Sequence, residues 1–592
     1  MVFGKYINKY YLRYIYLFVG GALALLFVDY FQLKIPEIIA NIIDNISNNS
    51  LTIEDVRYYT FEIVKIGAVL FGGRFLWRVC IFGAGILIES HLRDDLYSHF
   101  KNLPQSFYSV NKTGGLMSYY TSDLSTIRNC VASGTLSLFD ALFLGVLAFI
   151  KMLRIDVALS LVALAPLLLI AVMGVLLGRF MSKKFERRQK AFENLSDLTQ
   201  ENISGLSVIK AFVKESVELS RFAKVNKDNV DKNMEFIKLS IIFNIILTVL
   251  INVIIGIIIL IGGKYVIDFN NGVSTKEFTV GNITEFYSYF GSLIWPMMAI
   301  AQLINISAQG RASYVRIKKL MDEKNDILDG NLDKPTKGSI RFENLSFTYP
   351  NSELEVLSNI NLNIKDGELV GIIGRTGSSK STLVDLLLRL YNVPENKIFI
   401  DDKDIMKLKV EDVRNLIGYV PQDNFLYSDT IKANIAFSDE EINEDKVIES
   451  AKLADVYDNI MEFEDKFDTV LGERGVTVSG GQKQRISIAR ALYKNPEILI
   501  LDDSLSAVDT ETEDIILRNL LNVRKGKTTI IIAHRISTIE AADQIIVMED
   551  GKISGVGKHK ELLETNELYS ELVRLQKLED LNGGTIWLPI KI

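Results

Sequence analysis

Three short stretches place phosphate- and cation-seeking groups at the ends of apolar runs. The first is Gly374-Arg375-Thr376-Gly377-Ser378-Ser379-Lys380-Ser381-Thr382, which follows the apolar run 368–373 and precedes a helical pattern at Leu383, Leu386, Leu387 and Leu390. A strand, a loop of small residues and a helix start present backbone N–H groups to an anion. In that setting Lys380 reaches the β/γ-phosphates of a nucleotide, and the Ser381 hydroxyl ligates Mg²⁺. One residue departs from the motif: Ser379 stands where a glycine is expected, so a Cβ crowds the phosphate or strains the loop. The second stretch, 498–503, is an apolar strand ending in Asp502 and Asp503, the arrangement that holds Mg²⁺ beside a nucleotide. A buried parallel strand would explain its apolar part, though not two terminal acids. The third is Ser479-Gly480-Gly481-Gln482, small residues opening the helical run 486–492 and so a further anion site.

The elements that position these groups belong to one half of a divided chain. Of 592 residues, 48% are apolar and 23% charged, but the long apolar stretches end near Ala308, and from about Met321 the pattern is that of a soluble α/β protein. Composition excludes disorder and collagen-like or disulfide-rich classes. Cys80 and Cys130 give no disulfide framework, and four scattered histidines give no zinc site. A net charge of −7 argues against a nucleic-acid partner. The expected fold is a membrane α-helical domain of six long spans with cytoplasmic extensions (1–320), a polar linker (321–338), an α/β P-loop nucleotide-binding domain (339–580) and a tail (581–592) with no readable role. Within the third part, Phe342, Leu345, Phe347 and Tyr349 alternate with polar residues as in a β-strand.

A spanning helix needs about 20 mostly apolar residues. Six candidates fit: 11–39, 61–88, 134–153, 157–180, 237–261 and 283–306. Lys5, Lys9 and Arg13 lie at the first span, and Arg179, Lys183, Lys184, Arg187, Arg188 and Lys190 follow the fourth, whereas the first loop carries Arg57 against Glu54 and Asp55. This asymmetry puts both termini and the soluble half in the cytoplasm. The two long connections on that side read as helices continued beyond the bilayer, each interrupted by a glycine-containing turn, Thr113-Gly114-Gly115 and Ile203-Ser204-Gly205. Charges inside the spans are candidates for a substrate path, the alternative being structural pairing or snorkelling. They are Asp29, Arg74, Arg78 and Asp140, with Asp29 and Arg78 expected to form a cavity-lining pair.

Together these motifs resemble the ATP-binding cassette (ABC) transporters, specifically exporter-type half-transporters that fuse six spans to one cassette. The resemblance covers about residues 5–575. It implies roles for further residues: Tyr349 stacks on adenine, Gln422 in Val420-Pro421-Gln422 touches Mg²⁺ and the membrane domain, and Gly472-Glu473-Arg474-Gly475 forms the short loop before the signature Ser479–Gln482. Ser506-Ala507-Val508-Asp509 matches the loop after the strand carboxylates, and His534 the switch histidine. Coupling helices fall near 105–116 and 201–212. ATP and Mg²⁺ are the implied ligands. Two cassettes stack head-to-tail, so each ATP lies between one chain's phosphate loop and the other chain's signature. The resemblance thus implies a second half-transporter subunit, a lipid membrane and a small amphipathic cargo, as in a multidrug exporter of the plasma membrane. Efficient family members carry glutamate where this chain has Asp503. Ser379 and Asp503 both fall on the phosphate side while the signature is intact, the asymmetry of a heterodimer whose own site is slow. The alternatives are a homodimeric exporter or lipid flippase, an importer on the same fold, and a non-transporting regulator.

Overall fold

A computed structural model describes residues 4–581 except 112, 274, 351, 473, 474 and 476, and for 113, 165–179, 182, 301 and 579–581 only the helical backbone. The tail 582–592 lies outside the described residues. Contacts divide the chain into two units, Met1–Lys101 with Thr113–Glu323, and Asn102–Lys112 with Lys324–Ile592. The segment Asn102–Lys112, assigned by sequence to the membrane half, therefore groups with the cassette.

In the first unit, the helices Ile53–Lys101, Val157–Ser204, Glu215–Asn270 and Val280–Met321 run 42 to 56 residues. At 1.5 Å per residue that is about twice the hydrocarbon thickness or more. Among the described residues five helical stretches are long and apolar enough to cross a membrane. They carry every expected span except 157–180, which lies on Val157–Ser204 where the side chains are largely outside the described set. The first span is not one helix. Asn8–Arg13, Ile15–Gln32 and Lys34–Ser47 follow one another across Tyr14 and Leu33. Pro36 explains the second break, because a proline fits the first turn of a helix and not its interior. Asp156 and Thr279 cap the helices Val157–Ser204 and Val280–Met321 by accepting from Leu159 N and Asn282 N.

The two long connections break at different kinds of residue. The first breaks at Asn111, between the helices Gln105–Val110 and Thr113–Ser118, so Gly114 and Gly115 lie inside a helix rather than in the expected turn. A single π turn, Tyr119–Asp123, then leads into Leu124–Ile155. The second connection breaks at Gly205 as expected, continues as the short helix Leu206–Ala211, and turns at Val213, whose φ is +52°. Phe212 and Val213 there are 70% and 78% exposed, and Leu206 and Val208 are exposed beside them.

The second unit holds two sheets. Strands β1 (Ile340–Thr348), β2 (Glu355–Ile364), β4 (Ile398–Ile400) and β5 (Lys403–Asp404) form an antiparallel sheet ordered β2-β1-β4-β5. The larger sheet is ordered β10-β9-β3-β8-β7-β6, from β3 (Leu369–Gly374), β6 (Ile417–Val420), β7 (Ile498–Asp502), β8 (Thr528–Ile532), β9 (Gln544–Glu549) and β10 (Lys552–Gly557). All but β10 run parallel. Burial on both faces explains why β7 is apolar up to Asp502 and β8 consists of two threonines and three isoleucines. The linker is held along this unit: Arg389, fully buried, donates to the carbonyls of Leu328 and Leu408 at 2.9 and 3.0 Å, and Gly330 N donates to Leu408 O at 3.0 Å.

Candidate functional site

Four adjacent parallel strands deliver the chemistry. The phosphate loop follows β3, Gln422 follows β6, Asp502 and Asp503 end β7, and His534 follows β8. The register pairs Val420 with Leu501, Asp502 with Ile532, and Ile372 with Ile532, so the four carboxyl ends lie side by side. That edge is where open α/β sheets bind ligands.

Within the loop, Gly377 has φ +86° and Ser379 φ +68°, ψ 27°. Ser379 thus occupies the left-handed region, where a Cβ costs about 1–2 kcal/mol. Of the two effects anticipated for this serine, backbone strain is therefore present. Lys380 is 7% exposed, with its ammonium 3.0 Å from the carbonyls of Gly374 and Arg375 and 3.4 Å from Ser378 Oγ. Burial pushes the Lys380 amine down, opposed by the nearby charges of Asp502 and Asp503. Ser381 hydrogen-bonds Asp502, and Thr382 Oγ1 lies 3.0 Å from Tyr349 Oη. Edge-on contacts at 5.1 Å with Phe347 and Tyr391 hold the Tyr349 ring beside the loop. Arg375 and Thr376 are exposed, and Arg375 pairs with Glu571 at 2.8 Å. The helix Lys380–Leu387 stops short of Leu390, because Arg389 takes φ +50° to reach its carbonyl partners.

Opposite the loop, Asp502 is buried, and burial raises its pKa against hydrogen bonds from Ser381 and Tyr419. Asp503, at φ +46°, accepts from Gln422 Nε2 at 3.2 Å and lies 4.0 Å from His534 Nε2. Asp503, Gln422 and His534 are thus in one cluster. Hard oxygen donors meet here (the Ser381 hydroxyl, the Asp502 carboxylate, the Gln422 carbonyl), and Mg²⁺ prefers one or two protein oxygens completed by phosphates and water. The donor set fits a Mg²⁺-nucleotide.

The signature is organised differently. Ser479 Oγ accepts from Gln482 N at 3.3 Å, and Gln482 Oε1 accepts from Ser479 N at 3.0 Å, a capping box that starts the helix Gly480–Tyr493. At Gly481 an added Cβ would stand 3.0 Å from Ala507 O. Gln484 accepts from Ala507 N at 3.0 Å and approaches Ser506, which in turn donates to Asp503 O at 2.9 Å. Among the described residues no hydrogen bond or ion pair joins Ser479–Gln482 to Gly374–Thr382. In the loop before the signature, Glu473 and Arg474 lie outside the described residues.

Several groups at the site escaped the sequence reading. Asp385, one helical turn beyond Ser381, has its pKa raised to about 6 by burial and by Asp502. A lone acid among Leu383, Leu386 and Leu387 was the available signal. Gln576 bonds to the His534 carbonyl and accepts from Ile536 N at 2.7 Å, and buried Glu513 holds Arg535 at 2.7 Å. Nothing in the spacing of Glu513 or Gln576 announces a partnership with a loop 22 to 42 positions away.

In the membrane unit, Asp29, Arg74 and Asp140 line one cavity. Arg78 does not. It is exposed and its guanidinium stacks 5.3 Å from the centroid of Trp77, so of the expected Asp29–Arg78 pair only Asp29 lines the cavity. Four positions apart, Arg74 and Arg78 share a face of the helix but stand about 6 Å apart along its axis.

Residues 17–297 match the ABC transporter transmembrane region family, and residues 357–506 match the ABC transporter family. The chain belongs to the ABC transporters. Among curated ABC proteins it is 36% identical over 587 residues to "Probable multidrug resistance ABC transporter ATP-binding/permease protein YheI" of Bacillus subtilis, covering 98% of each. It is 36% identical to the multidrug resistance-like ATP-binding protein MdlA of Escherichia coli over 95% of this chain and 94% of that one. A third relative, 34% identical over 90% of this chain and 88% of its own length, is an ATP-dependent lipid A-core flippase of Syntrophus aciditrophicus. A bacterial Atm1-family ABC exporter solved with ATP bound shares the fold with a TM-score of 0.74 at 25% identity, over 96% of this chain and 99% of that one. The ABC fold here is therefore a multi-pass membrane domain fused to an ATPase domain.

Proposed function

We propose that the chain is one subunit of an exporter that uses ATP binding and hydrolysis to move amphipathic compounds across the plasma membrane, with its cassette and both termini cytoplasmic. The carrying observation is the division of labour within the cassette. Lys380, Ser381, Asp502, Asp503, Gln422 and His534 gather at one sheet edge, while the signature capping box bonds to none of the phosphate loop. A second chain supplying its own signature completes the site. Mg²⁺, when bound, screens the phosphate charge. Lys380 neutralises the β/γ-phosphates, Ser381 and Asp502 hold the cation, Asp503 orients or deprotonates the attacking water, and His534 senses the γ-phosphate position. The short helices Gln105–Val110 and Leu206–Ala211 carry the resulting motion to the spans. Relatives named for multidrug resistance and for lipid A-core flipping support an amphipathic cargo.

The second chain is a different one in this reading. Ser379 and Asp503 both hold left-handed backbone on the phosphate side, whereas the capped signature is regular, so this chain's own site is slow and its signature serves a faster site on the partner. The test compares Ser479→Arg with Asp503→Asn by phosphate release from the purified assembly. Ser479→Arg abolishes most activity and Asp503→Asn little of it. Equal, near-complete loss in both leaves a homodimer with two equivalent sites.

A further inference from the structure

The inward stripe of the helix Glu567–Leu581 changes character along its length. Leu568, Tyr569, Leu572 and Val573 recur at helical spacing, and Leu568, Tyr569 and Val573 are buried in the same core as Ala533, Ile536 and Ile539. The next position on that stripe is Gln576, half-buried, where an apolar residue would continue the packing. Its carboxamide faces the segment after β8: Nε2 donates to the carbonyl of His534, and Oε1 accepts from Ile536 N at 2.7 Å. We propose that Gln576 is a positioning residue for ATP hydrolysis, which fixes His534 for the γ-phosphate through its backbone. The proposal rests on the reading of His534 as the residue that senses that phosphate, and adds a residue behind it.

Past Ile532 the strand ladder gives out. Ala533 N still donates to Ile372 O at 3.1 Å, but the His534 carbonyl and the Ile536 N–H have left the sheet, and one side chain satisfies both. A carboxamide can do this because it carries a donor and an acceptor side by side. The imidazole has no such hold. Its side chain is 42% exposed, Asp503 stands 4.0 Å from Nε2, and among the described residues it makes no hydrogen bond. Where the ring sits is therefore set by the backbone beneath it. Glu513 holds the side chains of Arg535 and Thr538 and leaves the His534 carbonyl untouched. The helix is itself fastened beside this segment: Tyr569 Oη lies 2.7 Å from His559 Nδ1, and His559 Nε2 lies 3.3 Å from Glu540. Glu571, on the same helix, pairs with Arg375 of the phosphate loop at 2.8 Å, so one helix touches both walls of the site.

The test uses the purified full-length assembly and single-turnover phosphate release with limiting ATP. In the proposed heterodimer the slower phase belongs to this chain's phosphate loop; in a homodimer the single phase serves. Gln576→Leu keeps the volume and loses both bonds, and it slows that phase about tenfold or more, since a misplacement near 1 Å costs on the order of 10²-fold. ATP affinity moves less than about twofold, because Lys380 and Tyr349 are untouched. Gln576→Glu keeps the shape and the acceptor but turns a carboxylate on the His534 carbonyl, and it is slowed as well. In a His534→Ala background Gln576→Leu adds less than about twofold, the non-additivity of residues that act as one. Hydrogen exchange without nucleotide reports the hold directly: residues 533–537 lose protection in Gln576→Leu. Equal slowing by Gln576→Leu with and without His534, a matching loss of ATP affinity, a Gln576→Glu variant as fast as wild type, or unchanged exchange at 533–537 overturns the proposal. If His534→Ala is slow and Gln576→Leu is not, the proposal falls alone; if His534→Ala releases phosphate like wild type, the reading of His534 falls with it.

Discussion

Lengthening one side chain tests the geometry of the hydrolytic cluster. Asp503 Oδ2 lies 4.0 Å from His534 Nε2 and 3.2 Å from Gln422 Nε2. Asp503→Glu adds about 1.5 Å of reach, one carbon–carbon bond, which brings the carboxylate within hydrogen-bond range of the imidazole. A misplacement of about 1 Å costs on the order of 10²-fold in rate, or about 2.7 kcal/mol. Against that gain stands the backbone: φ at Asp503 is +46°, a region aspartate tolerates better than glutamate. If that difference costs about 1 kcal/mol, or about fivefold, the net gain is on the order of 20-fold. The assay is single-turnover phosphate release with limiting ATP. In the proposed heterodimer, running it in a Ser479→Arg background silences the site that this chain's signature serves, so what remains reports this chain's own phosphate loop. If neither Asp503→Glu nor its combination with Ser379→Gly speeds release there, the short carboxylate and the strained loop are not what limits the site.

Lys380→Ala removes the buried cation from the loop and lowers photo-crosslinked ATP at this site by tenfold or more, on the order expected for a charged hydrogen-bond donor; unchanged labelling would refute the phosphate-loop role. Tyr349→Ala removes a stacking surface worth about 1–3 kcal/mol per base, so ATP affinity falls about five- to 160-fold while free phosphate binding does not change. Asp385 has a folded pKa raised to about 6, so the protonated form is favoured in the folded state. Its contribution is complete below about pH 4 and is lost as pH rises through 6, with an upper bound of about 3 kcal/mol. Asp385→Asn therefore makes the nucleotide-free protein more stable to denaturant at pH 7.5 and removes that part of the decline between pH 4 and 6; an unchanged pH profile would contradict it.

Much of the site was legible because each motif is a strand end followed by a loop, and the apolar runs at 368–373 and 498–501 marked the strands that the sheet then set side by side. Their convergence was not in any one motif. It comes from the register of four strands far apart in sequence. Backbone conformation was legible only at Ser379, where a missing glycine gave notice; the positive φ at Asp503 and Arg389 carried no such signal. In the membrane half, hydropathy located the spans but could not fix how far along a helix a side chain reaches, which is why Arg78 was paired with Asp29 while it is Arg74 that lines the cavity. The break at Leu33 was readable after all from Pro36, had the proline been weighed against the apolar run.

The short helix Leu206–Ala211 carries a consequence for the life of the chain in the cell. It sits about 26 residues past the end of the fourth expected span, roughly 40 Å along a helix, and shows Leu206, Val208, Phe212 and Val213 to solvent. Apolar side chains grouped on a water-facing tip are a handle for chaperones and proteases and a nucleus for aggregation. Newly made chains that have not met a mate therefore advertise the fact. In the proposed heterodimer, the steady-state amount of this protein tracks that of its mate, falling when the mate is depleted and recovering when quality-control proteolysis is blocked, so that stoichiometry is set by turnover of orphans as much as by synthesis.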